Sequence, residues 1–371
     1  MINFLQKLIA AESTTEKGES ATAAIVSQEL SRSGIKAHID TWNGKRANLF
    51  AAIRSSGSAP ALLFLCHLDV VPAGWHGWTN PAFKPVNTNG RIYGRGAADM
   101  KGGITGVVHA MRQLVNEGVK LNGDVILVAV AGEETDSCGA RRFMQTGRDM
   151  LGTLAGVIIP EPTDFEIVTA HRGILWLEIT TKGKTAHGSM PHLGVNAITS
   201  MQLVLDELRK YKIQAQPHNS MGPCSVSINT ITGGQAINVV PDSCRLGMDI
   251  RTVAGQNHEE IVADIQRIFT RLKQSTPNFE ADVTVVRRVD ALQTDSDSPF
   301  VRNFCSAVGI SETTAVGFTT DGPHVAGLNV PIVIFGPGKP DLCHKPDEYI
   351  DLVDVEKAVD YYKKIILKFL G

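Results

Sequence analysis

Four short apolar runs constrain the fold of this chain most. They are ALLFLCHL (61–68), VILVAVAG (125–132), AGVIIPEP (155–162) and VPIVIFGPG (330–338). Runs this short and this unbroken suit strands buried on both faces, as in a parallel sheet. Helical patterns lie between them. One runs from about Glu19 to Arg32 and stops at Gly34; another runs from about Gly103 to Glu117 and stops at Gly118. Glycine ends helices readily because it tolerates positive φ. The alternation predicts an α/β fold, a mostly parallel sheet flanked by helices.

The rhythm changes from about Ile174 to Arg288. ILWLEITTKG reads as a strand, 194–211 as a helix, 224–234 and 243–251 as strands, 257–273 as a helix and 281–288 as a strand. The order β-α-β-β-α-β is that of a ferredoxin-like α+β unit. A length of 371 residues exceeds what one core usually serves. The expected organisation is therefore a first domain in two parts, 1–173 and 289–371, with an inserted domain over 174–288. A final helix is expected from about Val353 to Phe369.

Lys plus Arg is 36 and Asp plus Glu is 38, a net charge of −2. Such a chain has no global field to draw in nucleic acid or an acidic membrane. The N-terminal MINFLQKLIAAEST reads as a short amphipathic helix rather than a signal peptide, since Gln6, Lys7 and Glu12 interrupt its apolar residues. The six cysteines form no CxxC pair, which suits reduced thiols in the cytoplasm. Three short patterns mislead. Gly183-Lys184-Thr185 has Glu178 where a phosphate loop needs Gly. Gly94-Arg95-Gly96 has Asp99 where a dinucleotide fingerprint needs its last Gly. Ser189 lacks the GxSxG elbow of a serine hydrolase.

Five segments bring imidazoles and carboxylates to the ends of the expected elements: Cys66-His67-Leu68-Asp69, Gly94–Gly103 with Asp99, Gly132-Glu133-Glu134-Thr135, Pro160-Glu161-Pro162-Thr163, and His344-Lys345-Pro346-Asp347-Glu348-Tyr349. In open α/β sheets ligands bind outside the carboxyl ends of the strands. All five are expected at one edge of one sheet. Each segment alone has a bland explanation as surface, turn or core. Glu161, closing an apolar run, is the least easily explained, because a buried carboxylate is costly unless paired or bound to metal. Two imidazoles and three carboxylates suit zinc or a similar ion, and a carboxylate can join two ions about 3.5–4 Å apart. In extended chain Glu133 and Glu134 would point to opposite sides, one to metal and one to substrate. Asp69 would share a face with His67 and hold its imidazole; Cys66 would point into the core.

These motifs together resemble the dinuclear zinc peptidase and deacylase family of acetylornithine deacetylase, succinyl-diaminopimelate desuccinylase, aminoacylase and glutamate carboxypeptidase, over essentially the whole chain. The resemblance implies that His67, Asp99 and Glu161 hold one divalent ion, with Asp99 bridging, and that Glu134 and His344 complete the second. Zn is expected, with Co or Mn as alternatives. It implies that Asp69 orients His67 and that Glu133 is the general base for a water shared by the metals. It further implies that His187 stabilises the oxyanion in the partner subunit's site, that Arg251 and Asn238 touch substrate, and that the inserted domain dimerises the chain. Cys66 and Pro160 replace glycines common in the family, and Cys343 precedes His344 where a small residue is usual. His76, His109, His192, His218, His258 and His324 are expected to be structural or superficial.

The activity so implied is metal-dependent removal of the acyl group from a small N-acyl amino acid by a cytoplasmic homodimer. Neither nucleic acid nor membrane is an expected partner. The nearest alternative is a dipeptidase or carboxypeptidase of the same family. A non-catalytic metal-binding relative is a distant one, since such proteins usually lose a ligand or the base and all seven matched positions are filled.

Overall fold

In the computed structural model the protein is described over residues 1–213 and 220–371, so His218 lies outside the described residues. The chain divides into two compact units. One comprises Met1–Thr169, Gln293–Ala315 and Thr320–Gly371; the other comprises Ala170–Leu292 with the short segment Val316–Thr319.

The first unit holds a nine-stranded sheet among the described residues. Its centre is Val125–Val130, Ala61–His67, Leu154–Ile159 and Ile332–Ile334, side by side in that order and all parallel. These are the four apolar runs, and their residues are buried on both faces apart from the half-buried Leu154 and Ala155. A hairpin over Ala37–Trp42 and Arg46–Ile53 adds antiparallel strands on the Val125–Val130 side. Its turn uses Asn43 and Gly44 at positive φ, an Asn-Gly hairpin signal that the alternation of strands and helices does not reveal. The Gly102–Asn116 helix and the C-terminal Leu352–Leu370 helix pack together over one face of the sheet. A Cβ at Gly106 would lie 2.9 Å from Ala358 and from the Tyr362 ring. The missing side chain is what lets the two helices approach. The buried Tyr362 hydroxyl then donates to the Phe335 carbonyl at 3.1 Å, satisfying its one polar atom.

A separate three-stranded antiparallel sheet joins Val86–Thr88, Arg91–Tyr93 and Tyr349–Asp351. It pairs segments about 250 residues apart. The loop carrying Asp99 leaves Arg91–Tyr93, and the segment carrying His344 runs into Tyr349–Asp351.

The second unit is a four-stranded antiparallel sheet in the order Ser225–Gly233, Ser243–Thr252, Gly173–Lys182, Glu280–Val289. Helices Ala197–Lys210 and His258–Ser275 bury one face of it around Leu175, Leu177, Met201, Leu246 and Ile265. Asn196 and Asn257 cap the helices, each side chain accepting from two backbone N–H groups of the first turn. The chain order is the β-α-β-β-α-β of a ferredoxin-like unit. Its edge strand Ser225–Gly233 is exposed at every residue.

Candidate metal centre

Three parallel strands deliver ligand-type side chains at their carboxyl ends: Ala61–His67 ends on His67, Glu133 and Glu134 follow Val125–Val130, and Glu161 follows Leu154–Ile159. Asp99 and His344 do not come from that sheet edge. The small three-stranded sheet brings them, which corrects the expectation that all five segments line one edge.

The donor atoms converge around Asp99. Its Oδ1 lies 3.0 Å from His67 Nε2 and its Oδ2 lies 3.3 Å from His344 Nε2. Glu161 Oε1 is 3.5 Å from His67 Nε2, and Glu134 Oε2 is 2.9 Å from His344 Nε2. The result is two donor sets, His67–Asp99–Glu161 and Asp99–Glu134–His344, each with ligand atoms within 4.8 Å of one another. One carboxylate serves both sets, an oxygen to each.

The electrostatics favour cations here. Burial pushes the Glu161 carboxyl up to about 7 and raises Glu134 and Glu133, the latter well above the usual range. Burial also opposes charge on Asp99, but the two imidazoles outweigh it and hold that carboxyl below its ordinary value. Hydrogen bonds to Asp99 and Glu134 raise His344 to about 10. Burial works against a charged His67, yet Glu161 and Asp99 keep its pKa raised. Four acids crowd two imidazoles in a largely buried place, and the raised carboxyl and imidazole pKa values mean that the cluster draws positive charge to itself. Nitrogen and carboxylate donors in two adjoining triads fit a pair of divalent ions.

The supporting contacts differ from the extended-chain expectation in two ways. His67 Nδ1 faces the Asp69 backbone carbonyl at 3.0 Å, while the Asp69 carboxylate is 3.7 Å away. The carbonyl accepts the Nδ1 proton and leaves Nε2 as the ligand atom. The Asp69 carboxylate instead accepts three successive N–H groups, Gly132 at 2.9 Å and Glu133 at 3.1 Å on Oδ1, and Glu134 at 3.1 Å on Oδ2. Nor are Glu133 and Glu134 extended. They lie in a turn closed on the Gly132 carbonyl, which accepts from Thr135, Asp136 and Ser137, with Gly132 at φ 79°. It is this turn that places the two side chains.

Cys66 is buried in the core beneath His67, as expected. Pro160 is accommodated by glycines. A Cβ at Gly103 would lie 2.1 Å from the Pro160 carbonyl oxygen, and one at Gly336 would lie 2.5 Å from the carbonyl oxygens of both Pro160 and Glu161. These two bare backbones set the position of Glu161.

The remaining site candidates belong to the second unit. His187 is exposed, and its Nδ1 accepts the Ser189 backbone N–H at 3.1 Å with the Ser189 hydroxyl at 2.8 Å. That arrangement places the proton of the neutral ring on Nε2, as a donor. Asn238 lies beside it: its carbonyl accepts the Gly188 N–H at 2.7 Å. Arg251 is engaged by Asp249, Nε to Oδ1 at 3.0 Å.

The sequence profile of peptidase family M20/M25/M40 matches residues 63–368. The chain belongs to the M20/M25/M40 peptidase family. A probable succinyl-diaminopimelate desuccinylase of Staphylococcus epidermidis is 31% identical over 376 residues, covering 92% of this chain and 91% of the relative. An acetylornithine deacetylase of Myxococcus xanthus is 29% identical over 377 residues, covering 99% and 97%. The crystal structure of an aminopeptidase from Bacillus cereus superposes with a TM-score of 0.81 at 21% identity, covering 99% of this chain and 97% of that one.

Two buried acids of this M20 metallohydrolase were not singled out from its sequence. Asp321, in Thr320-Asp321-Gly322, is buried near Ser137, and burial pushes its carboxyl up to about 7. Its charge acts on Glu133. Nothing in the local pattern marks it. Glu348 is buried among Arg95 and the backbone of the Asp99 loop. Its signal was its place in the His344–Tyr349 segment, four residues after a ligand-type histidine. Of the histidines set aside, His109 is mostly buried against Phe4, and His258 is buried with Nε2 2.8 Å from Thr252 Oγ1. His76 and His192 are exposed. Among the described residues no helix is long and apolar enough to cross a membrane.

Proposed function

We propose that this M20 enzyme removes the acyl group from a small N-acyl amino acid, using two divalent ions, most simply Zn, with Co or Mn able to replace it. The observation that carries the reading is Asp99, with one oxygen towards each of two histidines in adjoining donor triads. Its curated relatives support the deacylase side: both are named for removing an acyl group from a diamino acid. Peptidase chemistry is the alternative within the family, and the aminopeptidase fold keeps it in view.

His67, Asp99 and Glu161 would hold one ion and Asp99, Glu134 and His344 the other. Ions held there would polarise the scissile carbonyl and lower the pKa of water. Glu133 accepts the proton of the attacking water and returns it to the departing amine. Burial raises its carboxyl from the ordinary carboxylate range, the direction in which carboxylate bases are tuned towards neutral pH. Asp69 holds the Gly132–Glu134 turn so that Glu133 and Glu134 keep separate directions. His187, a donor at Nε2, stabilises the oxyanion of the tetrahedral intermediate in the partner subunit's site. Arg251 and Asn238 bind the substrate's carboxylate end. The exposed strand Ser225–Gly233, with Val226, Ile228 and Ile231 uncovered, supports pairing of this unit with a second copy.

The test is an assay of the metal-loaded protein against N-acetylornithine, succinyl-diaminopimelate, other N-acyl amino acids and dipeptides, beside a chelated control. Chelator-sensitive release of an acyl group supports the proposal. Turnover confined to dipeptides moves the reading to a peptidase. No turnover of any member, with metal bound, overturns it in favour of a binding protein.

A further inference from the structure

Glu348 lies at the meeting of the two segments that the small sheet brings together. Its side chain is buried. Its Oε2 accepts from Arg95 Nη1 at 2.7 Å and from the Gly96 N–H at 3.0 Å. Its Oε1 accepts from the N–H groups of Ala98 at 2.9 Å and Asp99 at 3.1 Å. Its own backbone carbonyl accepts the Gly94 N–H at 2.8 Å. One residue therefore holds the loop from Gly94 to Asp99 at five points.

Within the loop the Ala97 N–H donates to the Gly94 carbonyl at 3.1 Å and the Arg95 N–H reaches the Ala82 carbonyl at 2.9 Å, so Glu348 takes the N–H groups of Gly94, Gly96, Ala98 and Asp99 that these bonds leave over. Gly94 and Gly96 have φ 152° and 83°, conformations open to glycine and strained for other residues. A Gly-rich loop is cheap to reshape unless its N–H groups are tied down. Three N–H groups converging on one buried carboxylate form a charge-assisted clasp. The clasp is braced from outside. Arg95 also donates to the Lys345 carbonyl at 3.2 Å, and Trp78 stacks 5.1 Å from its guanidinium. Asp347 accepts from Thr79 N and Oγ1 at 2.8 and 2.7 Å, which fixes the turn between His344 and Glu348.

We infer that Glu348 is the positioning residue for the metal pair: by clasping the backbone of the Asp99 loop it sets the one carboxylate that both donor triads share, and it ties that carboxylate to the segment bearing His344. This rests on the metal reading proposed above. It makes a prediction that a general stabilising role does not. Losing Glu161 or His344 should weaken one ion site more than the other. Disturbing Glu348 should weaken both, because both use Asp99.

The experiment is a calorimetric titration of the chelator-stripped protein with Zn2+, repeated with Co2+ while recording its visible ligand-field spectrum. It is run on wild type, Glu348→Gln and Glu161→Gln, with Ile265→Val, buried in the core of the second unit, as a destabilised control. Gln keeps the shape of Glu348 but turns an amide towards N–H donors. The expected result for Glu348→Gln is about a 10–100-fold loss of affinity in both binding events, with an altered Co2+ spectrum. Glu161→Gln should weaken one event more than the other, and the control should leave affinities and spectrum unchanged while lowering Tm. Wild-type affinity and spectrum in Glu348→Gln, with only Tm reduced, overturn the inference. If Glu348→Gln does not fold, Glu348→Asp retains the charge one methylene short. Weakening of both events then supports the inference, and unchanged affinities overturn it. A wild-type protein that fails to bind two ions per chain refutes the metal reading itself, a separate outcome from two-ion binding that ignores Glu348.

Discussion

Asp69→Asn isolates how much the Gly132–Glu134 turn owes to one buried carboxylate. Asp69 receives three N–H groups and is almost fully excluded from solvent, at 1% exposure. Asparagine can keep its oxygen at the Oδ1 position, facing Gly132 and Glu133, but then sets an NH2 against the Glu134 N–H. Hydrogen bonds to a charged acceptor are worth about 1.5–3 kcal/mol, neutral ones about 1, and an unsatisfied buried donor costs about 1–3. Losing charge assistance on two bonds and stranding one donor costs about 2–4 kcal/mol, after allowing for partial relaxation. For a unit of this size that lowers Tm by about 4–8 °C. The same shift turns Glu133 and Glu134, so kcat/KM should fall by about 10–100-fold. The comparison is Asp136→Asn on the same turn. Asp136 is exposed and accepts from its neighbour Cys138, the N–H at 3.2 Å and the thiol, a local surface contact, so that change should cost under about 0.5 kcal/mol. Thermal melts of the chelated proteins and steady-state kinetics of the loaded ones decide the matter. If Asp69→Asn melts within 1–2 °C of wild type, or matches Asp136→Asn in kcat/KM, the argument from the three-donor contact is wrong.

Glu133→Gln should retain both ions and lose turnover by about 10²–10⁴-fold; metal analysis beside kinetics separates loss of base from loss of metal. Gly336→Ala inserts a methyl 2.5 Å from the Pro160 and Glu161 carbonyl oxygens, which should cost about 1–3 kcal/mol and weaken the ion site containing Glu161 before the one containing His344, as read by metal titration. In the chelated protein, Glu161 and Asp321 have folded-state pKa values raised to about 7 and His344 one raised to about 10. Each binds its proton more tightly folded than unfolded, so its contribution is present at low pH and is lost as pH rises through those values. His109 and His171, lowered to about 4, and Lys101, lowered to about 7, work the other way, so the readout is a difference: in chelator the Tm of Glu161→Gln should rise relative to wild type from about pH 5 to 8, and a difference that stays flat or falls contradicts this assignment. Zn2+ binding near pH 6.5 should also release protons, seen as a heat that varies with the ionisation enthalpy of the buffer.

Much of this protein is written locally. The four apolar runs specify buried parallel strands because a segment without a polar face has nowhere else to go, and they form the centre of the sheet. The inserted β-α-β-β-α-β order is legible because periodicity and glycine stops act within a few residues of one another. The ligand-type residues are legible as types: His67, Glu133, Glu134 and Glu161 stand where apolar strands end, and a carboxylate there needs a partner. What those patterns cannot carry is the pairing of polar groups distant along the chain. The small sheet that supplies Asp99 and His344 joins strands some 250 residues apart, each only three residues long and too short for a period to register. The division between Glu133 and Glu134 follows from a turn stabilised by Asp69, 63–65 positions earlier, rather than from strand alternation. Pro160 is tolerated because Gly103 and Gly336, far from it in sequence, leave room for its carbonyl. Glu348 and Asp321 show the same limit: an acidic residue in a loop looks solvated until folding buries it, and which donors it then meets is a property of three-dimensional packing, not of the residues beside it.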